Sequence, residues 1–135
     1  MGGESDLRKL LSGMRPELNP GRYVFTTTAT IHGGAPHGVT PVVSVTENEG
    51  LTLVVRQEEA EAAGLAYDYV AGWITLRVHS ALDAVGLTAA VARELAEAGL
   101  SCNVVAGYHH DHLFVPAERA AEAVGLIEAL AARSA

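Results

Sequence analysis

One cysteine, Cys102, occurs in the 135 residues, so the chain can form no internal disulfide. A fold held together without cross-links points to a reducing compartment, by default the cytoplasm. Cys102 itself lies in an apolar strand pattern and reads as a small core residue rather than a nucleophile. The chain has no run of five or more basic residues, and its formal net charge is −7. Without a basic footprint to neutralise phosphates, nucleic acid is not an expected partner, and an anionic membrane surface would repel the protein. Apolar runs are interrupted every few residues, which excludes a transmembrane helix. The start, Met1-Gly2-Gly3-Glu4-Ser5-Asp6, has no basic region followed by an apolar stretch and does not read as a signal peptide. Asp6 also stands where a myristoylation signal wants Ser or Thr. No P-loop or GxGxxG phosphate motif is present, no nucleophile elbow surrounds Ser44 or Ser80, and the zinc spacings HExxH and paired CxxC are missing. No cofactor is therefore expected, and no catalysis.

What the chain has is apolar content. Hydrophobic residues make up 49% and charged residues 19%, enough to fill a core and too little charge for wholesale disorder. Asp6 precedes a short helix over residues 7–11, and Gly13, Pro16, Pro20 and Gly21 are expected to break the segment after it. Tyr23, Val24, Phe25 and the three threonines Thr26, Thr27 and Thr28 read as a strand. Residues 31–38, with Gly33, Gly34, Pro36 and Gly38, read as a loop. Next comes a hairpin, with strands over residues 42–46 and 51–55 around the turn Glu47-Asn48-Glu49-Gly50. A short helix over residues 57–63 ends at Gly64.

Residues 73–79 alternate, with Ile74, Leu76 and Val78 on one face and Trp73, Thr75, Arg77 and His79 on the other. Ser80-Ala81-Leu82-Asp83 fits the Ser-x-x-acid helix start, and the helix is expected to reach Ala98 with Leu87, Val91 and Leu95 in its buried stripe. Gly99 stops it. Strands over residues 101–108 and 113–115 flank a turn at His109-His110-Asp111, and Pro116 opens a last helix with Ala120, Val124, Ile127 and Ala131 inward. The second half thus reads β-α-β-β-α and the first β-loop-β-β-α. Residues 53–60 (LVVRQEEA) parallel residues 113–120 (LFVPAERA) at an offset of 60, which supports a duplicated unit. Residues 67–79 can serve as the last strand of one half and the first of the other. The helices pack on one face, leaving Trp73 on an open face that a second copy of the chain would cover.

The stretch from Val78 to Ala89, then Leu95 to Val104 with glycines at 86 and 99, resembles the first strand, loop, helix and second strand of an ACT domain. The continuation from Ala106 to Pro116, and residues 41–55 of the first half, resemble a subfamily of stand-alone bacterial proteins with two ACT units. The resemblance implies an α+β, ferredoxin-like βαββαβ fold. It implies two units with antiparallel sheets and helices on one face, residues 1–69 degenerate and residues 70–135 a full ACT domain. It further implies a regulatory or sensor protein without catalytic activity, a homodimer that binds a small effector, an amino acid, where units meet. Carried over, the ligand contacts fall on Asp83, Val85 and Gly86 in the loop and Asn103 on the strand, with His79 and Ser80 flanking the same loop end. In the first half Gly33, Gly34 and His37 stand where such a loop should be.

The residue types suit that ligand. A helix N-terminus offers unpaired N–H groups to a carboxylate. Gly86 allows close backbone approach, Asp83 accepts from an ammonium, and Asn103 bonds to either group. The alternative is that Ser80 or Asp83 simply caps the helix. Two rival functions stay open. One is a metal-binding protein or metal-dependent enzyme built on His109-His110-Asp111-His112, in which His110 and His112 point the same way and His79 approaches from the neighbouring strand; the plain alternative is a polar turn. The other is a ligand-free oligomerisation module. Arg77 reads as an ion-pair partner at an interface or as a carboxylate anchor.

Overall fold

A computed structural model describes residues 6–29 and 34–135. The first five residues, and the part of the expected 31–38 loop that holds Gly33, lie outside that range. The elements run in the order α1 (Leu7–Gly13), β1 (Arg15–Thr28), β2 (Val43–Glu47), β3 (Gly50–Arg56), α2 (Gln57–Ala62), β4 (Val70–Arg77), α3 (Leu87–Glu97), β5 (Asn103–Ala106), β6 (Asp111–Pro116) and α4 (Ala120–Arg133), with a 3-10 turn over Ala117–Arg119. The chain divides into two compact units. One comprises Met1–Pro20 with Gly72–Ala135; the other is Gly21–Ala71. Both are antiparallel-sheet and helix structures of the α+β, ferredoxin-like kind.

In the larger unit the strand order is β1–β4–β6–β5. Its fourth strand is thus supplied by residues 15–20, from the far end of the chain. Alternation on the strands decides the core. Ile74 and Leu76 of β4 and Leu113 and Val115 of β6 have no exposed surface and form the floor under α1, α3 and α4. The helices answer with Leu10, with Leu87, Val91 and Leu95, and with Ala123 and Ile127. Each such large side chain withdrawn from water contributes roughly 1.5–3 kcal/mol. Cys102 packs at the edge of this cluster, half-buried. Asp6 caps α1, its carboxylate accepting from the Lys9 N–H at 3.1 Å.

The smaller unit orders its strands β2–β3–β1. The hairpin pairs Glu47 with Gly50, so the turn is Asn48-Glu49. Val24, Leu53, Val55 and Ala60 build its core. The internal repeat has a structural counterpart. Leu53, Val55 and Ala60 at the step from β3 to α2, and Leu113, Val115 and Ala120 at the step from β6 towards α4, are all buried. Helices α2 and α3 also end alike. After α2 the N–H groups of Leu65 and Gly64 reach the carbonyls of Ala60 (2.9 Å) and Glu61 (3.2 Å). After α3 those of Leu100 and Gly99 reach Leu95 and Ala96, both at 2.9 Å. Both are Schellman closures with glycine at the left-handed position.

Three local expectations are corrected. Strand β1 is not broken by Pro16 and Pro20, because proline's backbone suits an extended chain and only its N–H is lost; nor does Gly21, at φ +98°, end it. Helix α3 does not start at Ser80. Residues 80–86 turn, with the Ala84 N–H on the Ala81 carbonyl at 3.0 Å, and Gly86, at φ +103°, holds a conformation no helix continues through. Pro116 ends β6 rather than opening α4, which begins only after the 3-10 turn.

Gly72 tests the packing of β4 against this last connection. A Cβ at Gly72 would stand 2.7 Å from the Cβ of Ala120. Gly72→Ala is expected to destabilise the protein by roughly 1–3 kcal/mol through overpacking, read as a lower urea midpoint at unchanged m-value.

Candidate functional site

A cleft of about 220 Å³ opens in the larger unit where the 80–86 loop, α3, β5 and the β5–β6 turn converge. Ser80, Leu82 and Ala84 come from the loop, and Leu87 and Thr88 from the first turn of α3. Val104 and Ala106 form the β5 wall, and Gly107, His110 and Asp111 close the far side. The hairpin register explains the wall. Val104 pairs with Leu113 and Ala106 with Asp111, so all four share the helix-facing side of the sheet. No side chain caps α3, whose first turn borders the cleft; its N-cap is Gly86. That end combines the positive pole of a helix with backbone donors.

Of the residues expected to bind a ligand, Ser80 lines the cleft. Asp83 and Val85 alternate with the lining residues Leu82 and Ala84 and face solvent, Val85 being 82% exposed. Gly86 stands at the helix start, and a Cβ there would meet Leu7 Cδ2 at 3.0 Å. His79 is exposed, its ring 6.1 Å from that of His109. Asn103 pairs with Phe114 and therefore lies on the opposite sheet face from Val104 and Ala106. Leu82, Val104, His110 and Asp111 were not singled out for such a cleft from sequence. The signal was there in the two-residue alternation of β5, which puts Val104 and Ala106 on the side of Leu113.

The histidines separate. His110 lines the cleft. His112 belongs to the other face, where its Nδ1 accepts from the Trp73 indole N–H at 3.0 Å and lies 3.1 Å from Thr75 Oγ1. Asn19 donates to Thr75 Oγ1 at 2.9 Å and to the Trp73 carbonyl at 3.2 Å. Because an indole only donates, Nδ1 of His112 is an acceptor and its proton sits on Nε2. Trp73 is accordingly half-buried by its own unit, stacked on Phe114 with ring centroids 6.2 Å apart, rather than left open. Among the described residues no group of three His, Cys, Asp or Glu side chains is placed to hold a metal. Arg77 pairs with Glu17, Nη2 to Oε1 at 2.6 Å.

Burial shapes the titration of this region. It lowers His112 and His110 below the ordinary histidine value, His110 being further lowered by Arg77, and it raises the Asp111 carboxyl. A histidine lowered in the folded state binds fewer protons folded than unfolded. Its stabilising contribution is present above the unfolded pKa, about 6.5, and is lost as pH falls below it.

The chain belongs to the ACT domain family. Family models described as ACT domain match residues 2–72 and residues 69–129. A solved structure from Vibrio cholerae, a protein of unknown function described as a possible transport protein, is 46% identical with a TM-score of 0.84, covering 93% of this chain and 95% of that one. A protein from Agrobacterium tumefaciens is similar in fold at 16% identity and TM-score 0.62, over 87% of this chain and 89% of that one. So is the regulatory subunit of aspartate kinase from Thermus thermophilus, at 10% identity and TM-score 0.57, over 85% and 95%. No curated protein matches the chain at a significant level. Among the described residues no helix is long and apolar enough to cross a membrane.

Two outcomes test this geometry. Acidification from about pH 7.5 to about 5.5, across the unfolded histidine pKa, should lower the melting temperature. His112→Asn, whose amide oxygen replaces the Nδ1 acceptor without titrating, should flatten that dependence. Gly86→Ala should cost roughly 1–2 kcal/mol in a urea titration, because L-residues resist a left-handed backbone.

Proposed function

We propose that the protein is a cytoplasmic, non-catalytic regulatory or sensor protein that binds an amino acid in the cleft at the start of α3 and works as a homodimer. In this reading residues 70–135 are the ligand-binding ACT domain and residues 1–69 a degenerate partner unit. Occupancy of the cleft shifts the population of conformations that a downstream protein recognises.

The observation that carries the reading is the meeting, in one cleft, of the uncapped α3 N-terminus with apolar walls and a carboxylate. A free amino acid needs those three features: donors for its carboxylate, an acceptor for its ammonium, and apolar surface for its side chain. Ser80 supplies a hydroxyl, and the Gly86 turn presents the helix end. Asp83, Val85 and His79 then act at the rim. Membership of the ACT family supports small-molecule regulation, as does likeness in fold to a regulatory subunit of aspartate kinase. Leu82, Val85 and Tyr108 are exposed apolar side chains on the loop and turn beside the cleft, the kind of surface that a second copy covers.

Thermal unfolding in the presence of each amino acid at millimolar concentration tests the reading. A ligand at about 100 times its Kd adds about 2.7 kcal/mol, a rise of several degrees for a chain of this size. A selective rise with one or a few amino acids is expected. An unchanged melting temperature across the whole panel would overturn the proposal.

A further inference from the structure

We infer that Asp111 is the residue that selects the ligand, by binding its ammonium group, and that the ligand is an α-amino acid with a small apolar side chain; the inference rests on the function proposed for this cleft.

Asp111 opens β6 directly across from Ala106, and its side chain borders the cleft. Among the described residues its carboxylate makes no hydrogen bond or salt bridge, and the charged groups that act on it are its chain neighbours His110 and His112. Half-buried carboxylates are costly without a donor, and burial has raised this one. His110 and His112 pull its carboxyl the other way and offset that burial only in part. A cationic group entering the cleft would supply the missing partner, and an ammonium offers three N–H donors for it.

The rest of the lining limits what carries that ammonium. Leu82, Ala84, Leu87, Val104 and Ala106 are apolar; beside Ser80, Thr88 and His110, no Lys, Arg or second carboxylate lines the cleft to meet a charged side chain. At about 220 Å³ the cleft falls below the roughly 300–1,000 Å³ of drug-sized sites. Asp83, which the loop resemblance nominated for the ammonium, points to solvent, so the acceptor comes from β6 instead.

Isothermal titration of the full-length protein with L-alanine, L-valine and L-leucine tests this. L-glutamate, L-lysine and the deaminated acids propanoate, 3-methylbutanoate and 4-methylpentanoate serve as contrasts. Wild type should bind at least one of the apolar amino acids, and the matching deaminated acid about tenfold or more weakly. Asp111→Asn should weaken the amino acid by about ten- to a hundredfold, the range for a lost charged hydrogen bond, without weakening the deaminated acid. The variant removes a desolvated charge, so its fold should persist, checked by circular dichroism. Ala106→Leu fills the cleft from an exposed strand and should abolish binding. Amino-acid affinity kept by Asp111→Asn but lost by Ala106→Leu would overturn the role of Asp111 and leave the cleft as the site. Binding that survives Ala106→Leu would overturn both. Binding of glutamate or lysine alone would overturn the apolar ligand class, and binding of none would overturn the inference together with the function it rests on.

Discussion

Four side chains without exposure, Ile74, Leu76, Leu113 and Val115, hold the larger unit together. Three helices bury their apolar stripes on this one patch, and none has another core to join. Because strand side chains alternate, committing these four to one face commits Trp73, Thr75, His112 and Phe114 to the other. There they settle into a network of their own, with the Trp73 indole and the Thr75 hydroxyl converging on one histidine nitrogen. The same alternation places Val104, Ala106 and Asp111 beneath α3 and keeps Asn103 and His112 away from it.

The cleft is thus a by-product of packing that chemistry can use. Between Ser80 and Gly86 the chain does not form helix, and the space left at the end of α3 is walled by the β5–β6 hairpin. Gly86 matters to it twice, through its left-handed backbone and through the closeness of Leu7. A large residue at position 86 would therefore perturb folding along with any ligand, whereas Asp111 and Ala106 lie where the fold asks little of their side chains.

The glycine-closed helices, the β2–β3 hairpin and the stripe Leu87, Val91, Leu95 were legible from residue pattern, because each depends on contacts within a few positions. The repeat at an offset of 60 was legible too, and both copies place the same strand-to-helix step. Less was legible where distant segments decide. Pro16 and Pro20 look like breakers until residues 15–20 find β4, with Asn19 bonded to Trp73 and Thr75 and Glu17 paired with Arg77. A Ser-x-x-acid signature looks like a helix start until the next glycine adopts a backbone that no helix can pass through.

By itself the sequence determined the α+β class, the ACT resemblance, the faces of β4 and the absence of a basic surface. The faces of β4 and the lack of a basic run come from composition and from periods of two and about 3.6 residues, which local geometry imposes; the ACT resemblance comes from the particular residues of the stretch 78–116. Only the tertiary structure decided which polar residues share a cleft. His110, Asp111 and His112 are consecutive, yet the pleat sends His112 to Trp73 and leaves Asp111 across from Ala106, in the cleft that Leu87 also lines. That assignment depends on register against a strand and on the position of a helix, and neither is written in the spacing of the residues concerned.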